Sequence, residues 1–326
     1  NNIYPLISSH LLSWYDQQGR SLPWRRESGA YELWLCEIIM QQTQVATGID
    51  YWYRLLKVFP SVADLAKASI DQVLSEWAGL GYYRRAHQLH KAAIIIHEQG
   101  HFPLNHAQWL KLPGVGPYTA SALASYLFKD PIAAIDGNAN RVYSRLFDLP
   151  LPVDKAEGKQ AIQALGNDSI DKDRPGDFNQ AIMDLGSQIC KGKKPACDQC
   201  PVSTYCLARE RSNIHLRPVK SVKITVKKVH WAFMLVTHQG KMAVTNRNNQ
   251  GIWPGLVTLP ASQPDNGQPL LWSCKHALTH MQLHITIHEA QLSDLNDSIK
   301  WVDINELSEL AWPQPFTRWL REFKYI

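Results

Sequence analysis

The segment CKGKKPACDQCPVSTYC, residues 190–206, carries four of the six cysteines of this 326-residue chain. Cys190, Cys197, Cys200 and Cys206 are separated by six, two and five residues. Two thiolates with two residues between them can converge on one centre, so in an intracellular protein this spacing indicates metal or cluster ligation rather than disulfides. Zinc and a 4Fe–4S cluster both accept four thiolates, and the spacing alone leaves both open.

The hydrophobic pattern around this cysteine segment predicts two different folds. From Tyr4 to about Arg211, apolar residues recur at three- and four-residue spacing, which is typical of amphipathic helices. After residue 228 the pattern changes to short apolar or alternating runs between Gly, Asn and Pro turns, which indicates strands. The sequence therefore predicts three regions: an all-α domain at 1–216 with the cysteine loop at 190–206, a linker at 217–228 and a mostly β domain at 229–326.

The composition restricts the class of protein. Hydrophobic residues make up 45% of the chain and charged residues 19%, so the chain can bury a core, and disordered and fibrous proteins are excluded. No apolar stretch approaches the roughly 20 residues that a membrane span needs, and the first thirty residues lack a signal-peptide pattern. We therefore expect an intracellular protein with no membrane partner.

The predicted linker is the most basic part of a chain whose net charge is +5. Five cations fall within twelve residues that contain no acid: Arg217, Lys220, Lys223, Lys227 and Lys228. Such a segment suits a polyanionic partner, but a solvated linker has the same composition. Both interpretations stay open.

A second motif, Leu112-Pro-Gly-Val-Gly116, precedes an apolar helical run that begins at Pro117. Proline is well suited to the first turn of a helix. Glycines let backbone N–H groups approach an anion closely, and the start of the helix adds a positive dipole end. Gly114, Val115 and Gly116 are therefore candidate contacts to a phosphate, although an ordinary interhelical turn has the same sequence.

Two carboxyl groups have contrasting surroundings in the sequence. Glu37 lies in the apolar run Leu33–Met40, where burial should raise its pKa and keep it protonated at neutral pH. Asp136 comes just before a predicted helix, whose amide dipoles should favour its ionised form. Cleavage of an N-glycosidic bond requires such a pair, because one group protonates the departing base and the other stabilises the sugar cation. A buried ion pair and an ordinary N-cap are the alternatives for these two residues.

The residues from Trp14 to Cys206 resemble the endonuclease III superfamily of DNA repair glycosylases. The cysteine spacing is similar to the iron–sulfur loop of that superfamily, and Leu112–Gly116 is similar to the hairpin with which it grips the DNA backbone. Two further motifs look like those of the MutY-type adenine DNA glycosylases, which excise adenine mispaired with 8-oxoguanine: Trp34-Leu-x-Glu-x-x-x-Gln-Gln-Thr-Gln-Val45 and Asp136-Gly-Asn-x-x-Arg-Val142. This resemblance implies a 4Fe–4S cluster on the four cysteines.

The resemblance also implies roles at the bond that is cleaved. Glu37 would protonate adenine N7 and activate water, and Asp136, oriented by Asn138, would stabilise the oxocarbenium ion. At position 118, bifunctional members of the superfamily carry a lysine that forms a Schiff base with the sugar. This chain has Tyr118 there, and a phenol cannot form an imine. The sequence therefore predicts base removal with little or no strand cutting, with Tyr118 as a positioning group; packing behind the hairpin is the alternative.

Further residues are implied to open the duplex and hold the base. Gln42 would fill the gap left by the flipped base, and Tyr82, in the turn Gly79–Tyr83, would wedge between base steps. The other predicted substrate-binding residues are Leu80 of the same turn and three residues of an adenine pocket: Arg20, Trp24 and Gln180. An exposed polar position, core packing or a structural hydrogen bond is the alternative for each.

Residues 229–326 resemble the Nudix-like carboxy-terminal domain of the same family, with Gly251-Ile-Trp-Pro-Gly-Leu256 as the clearest landmark. A Nudix hydrolase needs a glutamate-rich helix to hold Mg²⁺, and the sequence has no such motif. The domain is therefore expected to recognise the oxidised guanine opposite adenine rather than to hydrolyse a nucleotide. Its sensing loop departs from the family's Phe-Ser-His pattern: polar contacts are kept at Thr279 and His280, but Leu278 loses the aromatic face.

Together these features predict a monofunctional adenine DNA glycosylase that acts as a monomer on double-stranded DNA at A·8-oxoguanine or A·G mispairs. In a bacterium it would be cytoplasmic or associated with the nucleoid. One alternative is an endonuclease III-like glycosylase-lyase for oxidised pyrimidines, which Tyr118 disfavours. The other is a non-catalytic protein that uses the hairpin, the cluster and the basic linker to bind lesions.

Overall fold

The computed structural model describes residues 3–25, 28–221, 226–247, 252–263, 267–278, 281–295 and 299–326. The chain divides into two compact units. The first consists of residues 1–42, 61–63 and 91–223, and the second of residues 43–60, 64–90 and 224–326. The second unit thus contains part of the helical sequence as well as the carboxy-terminal region. The boundaries drawn along the sequence, 1–216, 217–228 and 229–326, stay a prediction.

The described residues between Tyr4 and Glu210 form helices joined by turns, which confirms the predicted helical fold. The α-helices of the described residues, numbered in order, are α1 Tyr4–Gln18, α2 Ala30–Met40, α3 Val45–Val58, α4 Val62–Lys67, α5 Ile70–Trp77, α6 Arg84–Gln99, α7 His106–Trp109, α8 Pro117–Leu127, α9 Gly137–Leu146, α10 Ala156–Ser169, α11 Pro175–Asp184, α12 Leu207–Glu210 and α13 Gln314–Glu322. A π-helical turn, Leu185–Ile189, continues α11. None of the helices in the described ranges has the length and apolar character needed to cross a membrane.

Local sequence sets where the helices near the site begin. Pro117 and Pro175 occupy the first turns of α8 and α11, where a missing backbone N–H costs nothing. Asp136 caps α9, since its side chain accepts a hydrogen bond from the Ala139 N–H at 2.7 Å. These helix starts fix the positions of the side chains that follow them.

The core of the first unit extends from the helices to the cysteine loop. Ile7 and Leu11 of α1, Val142 of α9 and Phe178 of α11 are buried in one apolar cluster. Three cysteines pack against this cluster: Cys190, Cys200 and Cys206. Each large apolar side chain stabilises the fold by about 1.5–3 kcal/mol when fully buried, so the core holds the loop against α1, α9 and α11.

Strands of the second unit form two sheets within the described residues. In chain order they are β1 Lys227–Leu235, β2 Thr237–His238, β3 Lys241–Asn246, β4 Val257–Thr258, β5 Ala261–Ser262, β6 Leu270–Ala277, β7 Met281–Glu289 and β8 Lys300–Asp303. One sheet has the order β5-β1-β7-β6, in which only β1 and β7 are parallel. In the other sheet β3 pairs with β2, β4 and β8. The sheet-rich carboxy-terminal region is therefore confirmed, and its first strand begins inside the predicted linker.

Aromatic side chains fill the core of the second unit. Phe233 of β1 packs edge-on against Phe316 of α13, with ring centroids 4.9 Å apart, and the Trp253 ring lies 5.9 Å from Phe316. The Tyr83 hydroxyl donates a buried hydrogen bond to the Trp312 carbonyl oxygen at 3.2 Å. These contacts join α13 to the sheet and to the turn before α6.

Candidate active site and cluster-binding loop

Glu37, the predicted acid, lies on α2 in an apolar environment. Its neighbours on the helix are almost fully buried: Leu35, Cys36 and Ile38. Burial raises the pKa of Glu37 to about 7; a hydrogen bond from Tyr118 and the charge of Arg25 oppose the rise, and the charge of Asp136 adds to it. A large fraction of Glu37 is therefore protonated near neutral pH, which is the state that the apolar run predicts.

Asp136 is held at the start of α9. One carboxylate oxygen accepts a hydrogen bond from the Ala139 N–H at 2.7 Å, and the other accepts one from the Asn138 side-chain amide at 2.8 Å. Burial outweighs these bonds and the charge of Arg141, so the pKa of Asp136 is raised. The backbone N–H at the helix start lowers the pKa, as the sequence predicts, but burial of the carboxyl group, which the sequence does not show, raises it by more.

Tyr118 of α8 contacts the predicted acid. Its phenol is hydrogen-bonded to the Glu37 side chain, and its oxygen also lies 3.1 Å from the Met183 sulfur, within hydrogen-bonding distance. Burial, followed by the charges of Glu37 and Asp136, raises the pKa of the phenol well above its usual value. The structure thus brings Glu37, Asp136 and Tyr118 together, with Asn138 bound to Asp136.

The predicted adenine-pocket residues lie around a buried carboxylate, Asp184. This side chain accepts hydrogen bonds from Arg20 Nε at 2.7 Å and from Arg25 Nη1 at 2.8 Å. Burial alone would raise the pKa of Asp184, but the two guanidinium groups bring it below its usual value. Arg25 also donates to Gln180 Oε1 at 2.6 Å, and Trp24 is buried. Arg20 and Gln180 are therefore engaged with protein groups, and their contacts to adenine stay a prediction.

Arg141 of α9 connects the cysteine loop to the start of its own helix. Its Nε donates to the Cys190 carbonyl oxygen at 2.7 Å. Its Nη2 donates to Asn138 Oδ1 and to the Gly186 carbonyl oxygen, each at 2.7 Å. Because Asn138 in turn donates to Asp136, a continuous series of hydrogen bonds runs from the first cysteine of the loop to this carboxylate.

The four predicted ligands line a single cavity: Cys190, Cys197, Cys200 and Cys206. Arg145 and Arg209 line the same cavity, and two guanidinium groups suit the negative charge of a cluster held by four thiolates. Arg145 Nη1 lies 3.4 Å from the Cys190 sulfur, and Arg145 also donates to the carbonyl oxygens of Lys191 and Gly192. Among the described residues, no three His, Cys, Asp or Glu side chains are arranged to hold a single metal ion. The four thiols that line the cavity are the residues that would hold an iron–sulfur cluster.

The predicted phosphate-binding hairpin forms a tight turn before α8. Gly114 has a φ of 78°, which glycine adopts at little cost, and a Cβ on Gly116 would meet nothing within 4 Å. The Val115 N–H donates to the Leu112 carbonyl oxygen at 3.2 Å, so this amide is already used within the turn. The Gln41 side chain donates to the Gly114 carbonyl oxygen at 3.2 Å, which ties the hairpin to the end of α2.

Gln42 and Tyr82, the predicted gap filler and wedge, both have left-handed backbone conformations, with φ of 60° and 50°. Such a conformation costs about 1–3 kcal/mol at a residue other than glycine and is concentrated at functional sites. Both side chains are exposed on the surface of their units, Tyr82 to 48%. Leu80, by contrast, is buried, and its contact with the substrate stays a prediction.

Arg85 supports the turn that carries Tyr82. Its guanidinium carbon lies 5.5 Å from the centre of the Tyr82 ring and 5.3 Å from that of Trp77. Its Nη1 donates to Thr43 Oγ1 at 3.1 Å, and its Nη2 donates to the Gly81 carbonyl oxygen at 3.3 Å. Burial lowers the pKa of Arg85 to about 10. Tyr82, the predicted wedge, therefore contacts a buried cation that the protein itself holds.

The predicted lesion-sensing loop joins β6 to β7. The Leu278 N–H donates to the Met281 carbonyl oxygen at 2.8 Å, which closes this hairpin. Thr279 and His280 lie outside the described residues, as does Gly251 of the Nudix-like landmark. The contact of this loop with a lesion stays a prediction.

The basic residues of the predicted linker have different surroundings. Arg217 pairs with the buried Asp148 at 2.9 Å, so its charge is compensated within the first unit. Lys220 is exposed, and so are Lys227 and Lys228 at the start of β1. Lys223 lies outside the described residues. The interpretation as a polyanion-binding segment therefore concerns the exposed lysines and not Arg217.

Sequence reasoning missed three residues that the structure places at the site: Arg25, Met183 and Asp184. Asp184 carries the same signal as Glu37, because it is a carboxyl group within an apolar run, Ala181–Leu185. Arg25 and Met183 give no such signal, since their partners lie 159 and 65 positions away along the chain.

Three family models match the chain. The model of the HhH-GPD superfamily base excision DNA repair protein matches residues 35–165, and that of the NUDIX domain matches residues 231–322. The model of the iron–sulfur binding domain of endonuclease III matches residues 190–206. The last match confirms the predicted iron–sulfur cluster, and its range contains the four cysteines, whose individual roles as ligands stay a prediction.

Similarity to individual proteins extends over the whole chain. The adenine DNA glycosylase of Buchnera aphidicola subsp. Schizaphis graminum is 30% identical, over 98% of this chain and 99% of its own length. The human adenine DNA glycosylase is 43% identical, over 62% of this chain and 39% of the human protein. Among solved structures, a thermostable thymine-DNA glycosylase has a TM-score of 0.59 at 26% identity, covering 64% of this chain and 97% of that one. The chain therefore belongs to the adenine DNA glycosylase family, whose members are base excision repair enzymes that hydrolyse N-glycosyl bonds in DNA.

Proposed function

We propose that this chain excises adenine from A·8-oxoguanine and A·G mispairs in double-stranded DNA, without cutting the strand, and that it acts as a monomer on the DNA inside the cell. The observation that carries the proposal is the joint placement of Glu37 and Asp136, with Tyr118 bonded to the first and Asn138 to the second. Family membership supports adenine as the target. The motifs in the sequence support the choice of mispair.

Glu37 acts as the general acid in this proposal. Its protonated carboxyl group gives its proton to adenine N7, so that the glycosidic bond breaks and the base departs uncharged. The carboxylate that remains then accepts a proton from the attacking water. An acid whose pKa is about 7 is suited to both steps near neutral pH.

Asp136 stabilises the sugar cation left behind by the base. Each of its carboxylate oxygens is held by one N–H donor, from Asn138 and from Ala139. A carboxylate oxygen has further lone pairs, so these bonds fix the direction of the group and leave it able to face a positive charge. A preoriented charge costs little reorganisation when the cation forms.

Tyr118 supports a hydrolase without lyase activity. A lyase step needs an amine that can form an imine with the sugar, and position 118 carries a phenol that is already bonded to Glu37 and Met183. The residue at position 118 therefore supports hydrolysis rather than imine formation.

The cluster supplies four metal–thiolate bonds when it is bound, and these cross-link the loop of residues 190–206. Arg145 and Arg141 connect this loop to α9, so the loop positions the helix that begins at Asp136. No step of hydrolysis passes through it.

The proposal is tested with end-labelled duplexes that carry one adenine opposite 8-oxoguanine, guanine or thymine. After incubation, alkali converts abasic sites to strand breaks. We expect breaks with the first two duplexes after alkali, few with the third, and none before alkali. Equal release of adenine from all three duplexes, or no release from either mispair, contradicts the proposal.

Two controls separate the alternatives. Efficient trapping of the enzyme on DNA by borohydride would indicate a glycosylase-lyase. Tight binding of the mispair by the wild type without any release of adenine would indicate a non-catalytic binder.

Leu278→Phe tests the sensing loop. Restoring the aromatic ring should increase the preference for 8-oxoguanine over guanine, and an unchanged preference would remove Leu278 from the recognition surface.

A further inference from the structure

The phenol of Tyr118 lies between a carboxyl group and a sulfur atom. Tyr118 is on α8, which packs against both α2 and α11. The phenol is hydrogen-bonded to Glu37 of α2, and its oxygen is 3.1 Å from the sulfur of Met183 on α11. It thus has two partners, although it has only one proton to donate.

The chemistry of these groups allows two arrangements of protons. An ionised Glu37 can only accept, so the phenol donates to it. A protonated Glu37 can donate to the phenol oxygen, and the phenol proton then needs another acceptor. The thioether of Met183 can accept a hydrogen bond but cannot donate one, and it lies at hydrogen-bonding distance.

We propose that Met183 is a positioning residue for base excision: its sulfur accepts the phenol proton of Tyr118, so that the phenol oxygen accepts the proton of neutral Glu37. The inference rests on the function proposed above. When Glu37 passes its proton to adenine N7, its O–H bond breaks and an N–H bond forms. The phenol proton then turns from the sulfur to the new carboxylate, and Tyr118 and Met183 end the step chemically unchanged.

The other groups that act on Glu37 do not involve Met183. Asp136 disfavours the ionised form of Glu37, and Arg25 favours it. Cys36 is the adjacent thiol on the same helix, and burial raises its pKa well above the usual value, so it stays neutral. A change at Met183 leaves these groups in place, and its effect on Glu37 has to pass through the phenol.

The test compares the pH dependence of single-turnover adenine release by the wild type and by Met183→Leu, which nearly keeps the side-chain volume but removes the acceptor. In Met183→Leu the protonated form of Glu37 loses one weak hydrogen bond, so the pKa of Glu37 should fall. We therefore expect the decrease in rate on the alkaline side to occur at a pH lower by about 0.5–1 unit. In a Tyr118→Phe background, the same change at position 183 should produce no shift. Ile182→Leu, at a buried position of the same helix, controls for packing and should leave the profile unchanged.

A second measurement needs no turnover. Carbon-13 titration of the Glu37 carboxyl group, assigned with Glu37→Gln, should show the same downward shift in the free holoprotein. Met183→Gln keeps an acceptor at this position and should retain the wild-type titration, even if Met183→Leu does not fold.

Two results would overturn the inference: superimposable titrations of the wild type and Met183→Leu, or a shift that persists without the Tyr118 hydroxyl. A different result would overturn the proposed function but not the role of Met183. In that case the wild type releases no adenine at any pH, yet Met183→Leu still shifts the Glu37 titration.

Discussion

At the scale of single residues, Glu37 makes the folded protein less stable as the pH rises. Its pKa is about 7 in the folded protein against an ordinary 4.5, so between these values the folded state holds a proton that the unfolded state has lost. The resulting stabilisation is fully present below about pH 4.5 and is lost as the pH rises through about 7. The shift corresponds to about 3 kcal/mol as an order of magnitude.

We expect Glu37→Gln to increase the free energy of unfolding relative to the wild type at about pH 8 and to change it little at about pH 5, because glutamine has no charge to bury. Denaturant unfolding of the holoprotein across this range measures the difference. A difference that does not grow with pH would mean that Glu37 ionises in the folded protein as it does in water.

Asp184 should be far more important for stability than an exposed carboxylate with the same kind of partner. Its side chain is fully buried against Arg20 and Arg25, and removing one member of a buried pair costs about 3–5 kcal/mol. Asp16 pairs with Arg174 on the surface, where a pair contributes about 0–1 kcal/mol. Asp184→Asn should therefore lower the melting temperature much more than Asp16→Asn. Equal effects of the two variants would contradict the role of the buried pair.

Residues with a local signal could be predicted from the sequence, and those with distant partners could not. Glu37 stands out as a carboxyl group in an apolar run. Asp184 lies in an apolar run too, so the same criterion also identifies it. Arg25 acts through a residue 159 positions away, so no local pattern marks it. For Asp136, the sequence shows the helix start that lowers its pKa but not the burial that outweighs it, because burial depends on tertiary structure.

At the scale of elements, the π-helical turn after α11 lies close against the start of α9. A Cβ on Gly186 would lie 2.6 Å from the Asn138 Cβ, so Gly186→Ala must displace Asn138 and disturb its bond to Asp136. We expect a loss of about tenfold or more in the single-turnover rate of adenine release, since small displacements of catalytic groups are costly. Gly192→Ala is the matched control, because a Cβ there meets nothing within 4 Å. Wild-type rates in both variants would show that the turn does not position Asn138.

The presence of helices and strands was easier to predict than the residues at which they begin, end or become irregular. The start of α9 at Asp136 follows from its capping side chain. The basic residues from Arg217 to Lys228 predict a linker, yet β1 begins at Lys227 because it pairs with β7, more than fifty positions later. The π-helical turn Leu185–Ile189 also has no local signal, since it lies where α11 meets α9 and the cysteine loop.

At the scale of the whole molecule, the cluster should stabilise the first unit. Cys190, Cys200 and Cys206 pack against the core that α1, α9 and α11 share, so loss of the cluster loosens that core. We expect Cys200→Ala to lose iron and to melt at a lower temperature, and Cys274→Ala, on β6, to keep its iron. Iron content and thermal melting of the two variants measure this. Full iron content in Cys200→Ala would remove that cysteine from the ligand set.

A neutral Glu37 that protonates the departing base is the central requirement of the proposed chemistry. The most direct test is the single-turnover rate of adenine release from an A·8-oxoguanine duplex by Glu37→Gln, measured together with its affinity for the same duplex. We expect the rate to fall by about a hundredfold or more, as loss of a general acid entails, while the affinity stays close to that of the wild type. A rate within about tenfold of the wild type would contradict the assignment of Glu37 as the acid.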